Sequence, residues 1–252
     1  MARIGVNRIS LGLQSLDDDQ LGLLQRPHTV RQGLRAVDAV RSAGMDNLGL
    51  DFLWGLPGQT SGDWLRQLKW AASLEPEHIS CYGLTLEEGT LLRRRVEHGE
   101  LDLPGEEALE AMYIRGSQLL VDHGYTHYEI ANFARQGAEC RHNQGYWRGV
   151  DYLGLGPSAV STIRERRWAN PGDISRYAEA VRTGDLGGHA ETLTREQRIE
   201  ELVMLGLRTS EGLDLDAYRA LAGKDLVRSR QEMLRALEDR KLVRVRDGRL
   251  RL

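Results

Sequence analysis

The sequence predicts an α/β fold made of a parallel sheet with crossover helices, followed by a smaller C-terminal domain. In the N-terminal part, short segments rich in Val, Ile and Leu alternate with amphipathic helical segments. This alternation is typical of parallel strands joined by helices. From about residue 176 onward, helical periodicity prevails and two short β-type segments end the chain. We therefore divide the chain into domains 1–175 and 176–252.

Three strand-and-helix units open the chain. Their strands are predicted at 6–13, 48–53 and 78–82, because these segments are apolar and each is followed by a turn or a polar connection. Thr29 and Gln32 have the spacing of a capping box, in which each side chain bonds the backbone of the other residue. The first long helix should therefore begin there.

The C-terminal domain is predicted to combine helices with a two-stranded wing. Thr194 and Gln197 have the spacing of a second capping box, and a further helix is expected near 226–238. The dipeptide Asp247-Gly248 is a hairpin signal between two short apolar segments. Helices followed by a hairpin are typical of a small winged-helix-like α+β domain.

The composition excludes several classes of protein. Hydrophobic residues make up 40% and charged residues 28% of the 252 residues, which argues against disorder of the whole chain. Apolar runs are short and interrupted, and the first residues lack the apolar core of a signal peptide. We therefore expect a cytoplasmic protein whose membrane association is peripheral at most.

A nucleic-acid-binding role is an alternative that rests on one basic segment. Residues 224–252 contain ten Lys or Arg and five Asp or Glu, although the whole chain has a formal net charge of -3. A winged-helix domain with such an excess would suit phosphates. Because acidic residues interrupt the patch, we favour a solvated helix face and predict no nucleic-acid partner.

Polar residues stand at or near the ends of the predicted strands, namely Gln14, Asp51 and Thr85. In parallel sheets and barrels the loops at these ends converge on a crevice, where ligands bind. Asp51 lies between Leu50 and Phe52, and burying its carboxylate without partners would cost several kcal/mol. Its partner should be either protein or ligand, and the residues alone leave both open.

A second candidate site lies at 142–147, HNQGYW, which follows YEIANFA at 128–134. This segment, which we expect to be a loop, places the imidazole of His142 among aromatic rings and amides. An imidazole is a common metal ligand. A histidine that is merely hydrogen-bonded to its neighbours is the alternative, and the thiol of Cys140 is a competing ligand.

Four separated motifs resemble those of one family. They occur at 5–15 (GVNRISLGLQS), 51–60 (DFLWGLPGQT), 128–147 and 151–156 (DYLGLG). In this order they are similar to the radical S-adenosylmethionine family of oxygen-independent coproporphyrinogen III oxidase. The HNQGYW segment fits the HNxxYW pattern of the family's heme-chaperone branch, HemW. The resemblance covers nearly the whole chain.

The resemblance implies a fold and a set of cofactors. The first domain would be the C-terminal half of a partial (βα)6 radical-SAM barrel with a heme-chaperone-type insertion. In the intact family the cofactors are S-adenosylmethionine and a 4Fe-4S cluster. By resemblance, Gln14, Arg26 and Asp51 match polar contacts to S-adenosylmethionine, and Leu53 and Thr85 would lie near its adenine and ribose.

The resemblance also implies two functions. A member of the heme-chaperone branch would bind heme and deliver it to a recipient protein, with His142 as the metal ligand and with Tyr146 and Trp147 packed on the porphyrin. The alternative is an oxygen-independent coproporphyrinogen III dehydrogenase of porphyrin biosynthesis. In that enzyme a 5'-deoxyadenosyl radical abstracts hydrogen from propionate side chains, so that the cofactor carries the chemistry.

The sequence departs from the family in its cysteines. The family holds its cluster with three cysteines of a CxxxCxxC motif, whereas this sequence contains only Cys81 and Cys140. The predicted strand at 6–13 corresponds to the middle of the family's barrel, so that its edge would be left unpaired. We therefore interpret the chain as a truncated member that is inactive as a radical enzyme alone, and we assign no catalytic residue.

Overall fold

A computed structural model describes residues 4–185 and 190–252 and confirms an α/β fold. The chain forms two compact units, Met1–Glu139 and Cys140–Leu252. Each unit has its own hydrophobic core, and each is described below by itself.

The first unit alternates strands and helices, as the sequence predicts. Its elements are β1 (Ile9–Gln14), α1 (Asp18–Leu23), α2 (Val30–Ser42), β2 (Leu48–Trp54), α3 (Ser61–Ser73), β3 (His78–Gly83), α4 (Leu91–Glu97), α5 (Glu106–Asp122), β4 (Thr126–Glu129) and β5 (Asn132–Ala134). The strand predicted at 6–13 begins later, at Ile9. Ile9 is paired with Leu48, the first residue of the neighbouring strand β2, so that β2 offers no earlier residue for pairing.

The sheet of the first unit is mixed rather than wholly parallel. Its strand order is β1-β2-β3-β5-β4. Strands β1, β2 and β3 are parallel and are joined through helices, whereas β4 and β5 are antiparallel. The expectation of a parallel sheet is therefore confirmed for the three predicted strands, whereas the antiparallel strands β4 and β5 were not predicted. Only residues 130 and 131 separate β4 from β5, and so short a connection joins antiparallel strands only.

One face of this sheet carries the hydrophobic core. Leu48, Leu50 and Phe52 alternate along β2, are fully buried, and share one core with Trp64 and Leu68 of α3. Residues from α2 and α5 belong to the same core. Burying each such side chain contributes roughly 1.5–3 kcal/mol. Since side chains alternate along a strand, the opposite face of β2 carries the intervening residues.

The predicted helix starts are confirmed at both capping boxes. The Thr29 hydroxyl accepts a hydrogen bond from the backbone N–H of Gln32, whose side chain accepts one from the Thr29 N–H in return. Thr194 and Gln197 repeat this arrangement in the second unit. Such reciprocal caps satisfy donors that a helix start otherwise leaves without partners.

The second unit contains a winged-helix-like domain. Its elements are α6 (Arg141–Trp147), β6 (Val160–Ile163), β7 (Arg166–Ala169), α7 (Ile174–Thr183), β8 (Glu191–Thr192), α8 (Arg195–Gly206), β9 (Leu213–Asp214), α9 (Leu215–Ala222), α10 (Leu226–Ser229), α11 (Gln231–Asp239), β10 (Arg244–Arg246) and β11 (Arg249–Arg251). The wing is a three-stranded sheet, in the order β10-β11-β9, and β6, β7 and β8 form another. The division predicted between residues 175 and 176 falls within α7 and remains a prediction.

Two local expectations in this unit are wrong. The helix predicted at 226–238 is two helices, because the backbone of Arg230 leaves the helical region at φ -127°. The segment at 142–147, expected to be a loop, is the short helix α6. It forms because the N–H groups of Gln144 and Arg148 donate to the carbonyls of Cys140 and Gln144, at 2.9 and 3.0 Å.

The packing of α3 against α5 requires a glycine at position 116. A Cβ atom there would lie 2.6 Å from Nε1 of buried Trp64 and 3.1 Å from Cδ1 of Leu68. We expect Gly116→Ala to destabilise the protein by roughly 1–3 kcal/mol, although alanine favours a helix. Urea-induced unfolding measures this change.

The matched control is Gly22→Ala in α1, where an added Cβ meets no atom within 4 Å. There the helix propensity of alanine acts alone and should stabilise by at most about 1 kcal/mol. Equal or greater stability of Gly116→Ala than of the parent chain would contradict the close packing.

Candidate functional site

A row of polar side chains crosses the sheet of the first unit on the face opposite the core. Asp51 on β2 is paired with Ser80 on β3, Ser80 with Asn132 on β5, and Asn132 with Glu129 on β4. Laterally paired residues point to the same side of a sheet, so these four side chains form one row. Ser80, Asn132 and Glu129 are buried, whereas Asp51 is partly exposed.

The electrostatics of this row centre on Asp51 and Tyr82. Burial raises the pKa of the Asp51 carboxyl, and a hydrogen bond with Ser80 offsets part of that increase. Burial also raises the pKa of Tyr82, which Ser80 and Asn132 lower and the charges of Asp51 and Glu129 raise. The row therefore holds two carboxyl groups, and the phenol of Tyr82 beside it stays protonated at neutral pH.

Gln14 extends the row at its β1 end. The pairing of β1 with β2 is interrupted between Gly12 and Gln14, and Gln14 has a left-handed φ of 63°. A Cβ atom on Gly12, the residue paired with Asp51, would lie 2.5 Å from Nε2 of Gln14. The amide of Gln14 therefore folds back over Gly12, on the side of the sheet where Asp51 lies.

The loop after β2 is held by a buried glutamine. The Oε1 atom of Gln59 accepts hydrogen bonds from the backbone N–H groups of Gly55 and Leu56, at 2.8 and 3.3 Å. Gly55 has a φ of 76°, which favours glycine. These bonds fix the end of β2, where Leu53 is half-buried and is paired with Tyr82.

The remaining two residues of the proposed S-adenosylmethionine set lie outside this row. Arg26 is exposed in the turn between α1 and α2. Thr85 is exposed two residues beyond the end of β3, which stops at Gly83, one residue after the predicted end at residue 82. The structure thus brings Gln14 beside Asp51 and leaves Arg26 and Thr85 on connecting segments.

The two cysteines do not form a metal site within the described part of the chain. Burial raises the pKa of the Cys81 thiol well above its usual range, and the nearby charge of Asp51 raises it further. Cys140 is partly exposed in the second unit. Across residues 4–185 and 190–252, no group of three or more His, Cys, Asp or Glu side chains is arranged to hold a metal ion.

Helix α6 presents His142 and Tyr146 on one face, four residues apart. The imidazole of His142 is exposed and meets the Tyr146 ring edge-on, with ring centroids 4.7 Å apart. Tyr146 makes a second edge-on contact with Tyr152, at 4.6 Å. Among the described residues, none is hydrogen-bonded to the ring nitrogens of His142.

A cavity of about 740 Å³ lies within the second unit, next to these rings. Its walls combine three aromatic side chains with aliphatic side chains of α8 and α9 and several charged side chains. The aromatic members are Tyr146, Trp147 and Tyr152, and the charged members include Arg148, Asp151, Arg164, Arg167, Arg198 and Glu201. His142 is not a wall residue, but it touches Tyr146, which is. Ligand sites commonly have such apolar walls with a few placed polar groups.

Most residues of the polar row and of the cavity wall were not predicted from the sequence. Asn132 and Glu129 lie in the YEIANFA segment, where a buried carboxylate so close to apolar residues was a usable signal. Ser80 and Tyr82 could have been found by alternation along β3 once Asp51 was chosen. The cavity walls on α8 and α9 carry no signal in the sequence, because ordinary helix-face residues form them.

Two family models match parts of this chain. The Radical SAM superfamily matches residues 1–71, and the HemN C-terminal domain matches residues 193–252. The second match falls on the winged-helix-like part of the second unit.

Curated relatives resemble most of the chain. Heme chaperone HemW of Synechocystis is 37% identical over 213 residues, covering 83% of this chain and 52% of that protein. Heme chaperone HemW of Bacillus subtilis is 33% identical over 240 residues, covering 95% and 63%. A mitochondrial radical S-adenosyl methionine domain-containing protein 1 of Danio rerio is 38% identical, covering 83% and 49%. The chain thus spans about half to three fifths of their lengths.

A solved structure has the same fold. Coproporphyrinogen III oxidase (HemN) from Escherichia coli matches 99% of this chain and 61% of its own, with a TM-score of 0.77 and 23% identity. This likeness confirms the partial radical-SAM fold followed by a HemN-type C-terminal domain. Among the described helices, none has the length and apolar character needed to cross a membrane.

The raised pKa of Asp51 predicts that its charged carboxylate lowers the stability of the folded protein. The folded state disfavours the charged carboxylate of Asp51, so this charge destabilises the folded protein at neutral pH. The destabilisation disappears below 3.8, the pKa of the side chain in the unfolded chain, because the carboxyl group is then protonated in both states. We expect Asp51→Asn to raise the urea midpoint at pH 7, with the difference from the parent chain shrinking as the pH falls toward 3.8.

The control for this measurement is Asp38→Asn at an exposed position of α2. It should leave the midpoint nearly unchanged at both pH values. A lower midpoint for Asp51→Asn at pH 7 would show that its carboxylate is stabilised by its surroundings.

Proposed function

Because the chain belongs to the HemW-like branch of the radical S-adenosylmethionine family, we propose that it is a cytoplasmic, heme-binding, chaperone-like protein that passes heme to a recipient protein. The observation that carries this proposal is the exposed imidazole of His142, which contacts the ring of Tyr146, a residue of the wall of a large cavity. The relatives from Synechocystis and Bacillus subtilis are named heme chaperones, and this chain contains the segments that would contact heme.

The residues of the second unit fit a metalloporphyrin. When bound, heme would supply an iron atom that accepts a nitrogen ligand, and a flat, apolar macrocycle. The imidazole of His142 has ring nitrogens free of described hydrogen-bond partners, so one of them is available as a ligand. Tyr146 and Trp147 would offer aromatic surface to the macrocycle, and the edge contact with Tyr146 orients the imidazole.

The binding geometry also favours release. His142 is exposed on a helix of seven residues, Arg141–Trp147, and an exposed ligand on a short helix is easily reached by a competing ligand of another protein. A heme-delivering protein needs this property, because heme has to leave for the recipient. A fully enclosed ligand would instead suit permanent storage.

We further propose that the first unit contributes contacts to S-adenosylmethionine. Gln14 and Asp51 would meet its polar groups, Arg26 its carboxylate, and Leu53 and Thr85 its adenosine part. The Oδ1 atom of Asn132 supports this assignment, because it is buried in the same row without a hydrogen-bond partner among the described residues. A ligand donor at this atom would remove a cost of about 1–3 kcal/mol.

The residues present do not fit a 4Fe-4S cluster. The chain has two cysteines, one of them partly buried with a raised thiol pKa, whereas such a cluster needs three or four thiolates.

Hemin titration followed in the Soret region tests the heme proposal. The parent chain should shift the Soret band of hemin, and His142→Ala should weaken binding at least about tenfold because the iron loses its nitrogen ligand. Cys140→Ala and His98→Ala, which change a neighbouring thiol and an exposed histidine of the first unit, should bind like the parent chain. Unchanged hemin binding by His142→Ala would remove His142 from the site.

A second experiment tests the prediction that this chain alone is not a radical enzyme. After anaerobic reconstitution with iron and sulfide, incubation with S-adenosylmethionine and a reductant should give no more 5'-deoxyadenosine than the Cys81→Ser, Cys140→Ser double variant. Chromatography with mass detection measures the product. Formation of 5'-deoxyadenosine above that background would contradict the prediction.

A further inference from the structure

Among the described residues, Arg164 is the arginine of the cavity wall that forms no ion pair. The other three wall arginines each form an ion pair with a carboxylate: Arg148 with Glu211, Arg167 with Glu201 at 2.7 Å, and Arg198 with Glu165 at 3.1 Å. No ion pair joins Arg164 to any carboxylate in the described part of the chain. Its guanidinium is therefore available to a ligand.

The backbone holds Arg164 in an uncommon conformation. It is the first residue of the two-residue connection between β6 and β7, where Ile163 is paired with Arg166. Its φ of 55° lies in the left-handed region, and glycine is the residue that hairpins usually place at such a position. An arginine there costs stability without an evident packing gain, which points to a role for its side chain.

A hydrogen bond fixes this hairpin tip against the next wall of the cavity. The Oδ1 atom of Asp151 accepts a hydrogen bond of 2.7 Å from the backbone N–H of Arg164. Asp151 belongs to the connection that follows α6 and is itself a wall residue. The tip therefore has a defined place beside the segment that carries Tyr152, rather than swinging free.

We propose that Arg164 binds a carboxylate of the tetrapyrrole, a propionate of heme, in this cavity, an inference that rests on the proposed function. Heme combines a flat apolar macrocycle with two carboxylates, and the cavity combines aromatic and aliphatic walls with one uncommitted guanidinium. A guanidinium presents forked N–H donors that match a carboxylate. Arg167 cannot take this role, since its two terminal nitrogens already donate to Glu201 at 2.7 and 2.9 Å.

The experiment compares two ligands on three proteins. The ligands are hemin and hemin dimethyl ester, in which both carboxylates are esterified. The proteins are the full parent chain, Arg164→Gln, and the matched control Arg166→Gln, which removes another exposed arginine of the same hairpin that is not a wall residue. Soret titrations give a dissociation constant for each pair, and circular dichroism verifies that each variant is folded.

The parent chain should bind hemin about tenfold more tightly than the ester, because only hemin offers a carboxylate. Arg164→Gln should abolish this preference by weakening hemin binding alone, and Arg166→Gln should retain it. A preference that survives in Arg164→Gln, or an equal loss in both variants, would overturn the assignment while leaving heme binding intact. Failure of the parent chain to bind hemin would instead overturn the proposed function and this inference with it.

Discussion

The register of β2 in the first unit is the constraint on which the proposed cofactor face depends. Leu48, Leu50 and Phe52 must face the helices, because their burial supplies the core. Alternation then forces Asp51 onto the opposite face, where it is paired with Ser80 of β3. A shift of one residue would bury the carboxylate in the core and expose the aliphatic residues, so the hydrophobic pattern itself specifies the position of Asp51.

Burial of polar side chains on this face destabilises the folded protein, and neighbouring groups offset part of that destabilisation. Lateral pairing gives Asp51 a hydrogen-bonding neighbour, Ser80, which offsets part of the effect of burial on its pKa. At the edge of the sheet, the irregularity at Gln14 turns an amide back over Gly12 instead of leaving open space. The Oδ1 of Asn132 has no hydrogen-bond partner within the described part of the chain, and this residual cost fits a surface that is completed by a ligand.

Sequence patterns correctly predicted the features that depend on interactions between residues close together in the chain. The capping boxes at Thr29 and Thr194 and the alternation along β2 were readable because each depends on neighbours within a few residues. The helix around His142 was not, because its glycine and asparagine are weak helix formers and its N-cap residue, Cys140, makes no side-chain cap hydrogen bond. Glu129 was missed since its place in the polar row follows from pairing across strands.

The cavity of the second unit shows most clearly what only three-dimensional structure provides. Its walls join Tyr146 of α6 to Leu221 of α9, although 75 positions separate them in the sequence. The bidentate ion pair between Arg167 of β7 and Glu201 of α8 fastens the hairpin to the C-terminal helices that line the same space. The HemN-type C-terminal domain is therefore a wall of the candidate heme site, and changes in its helices should alter ligand binding without touching α6.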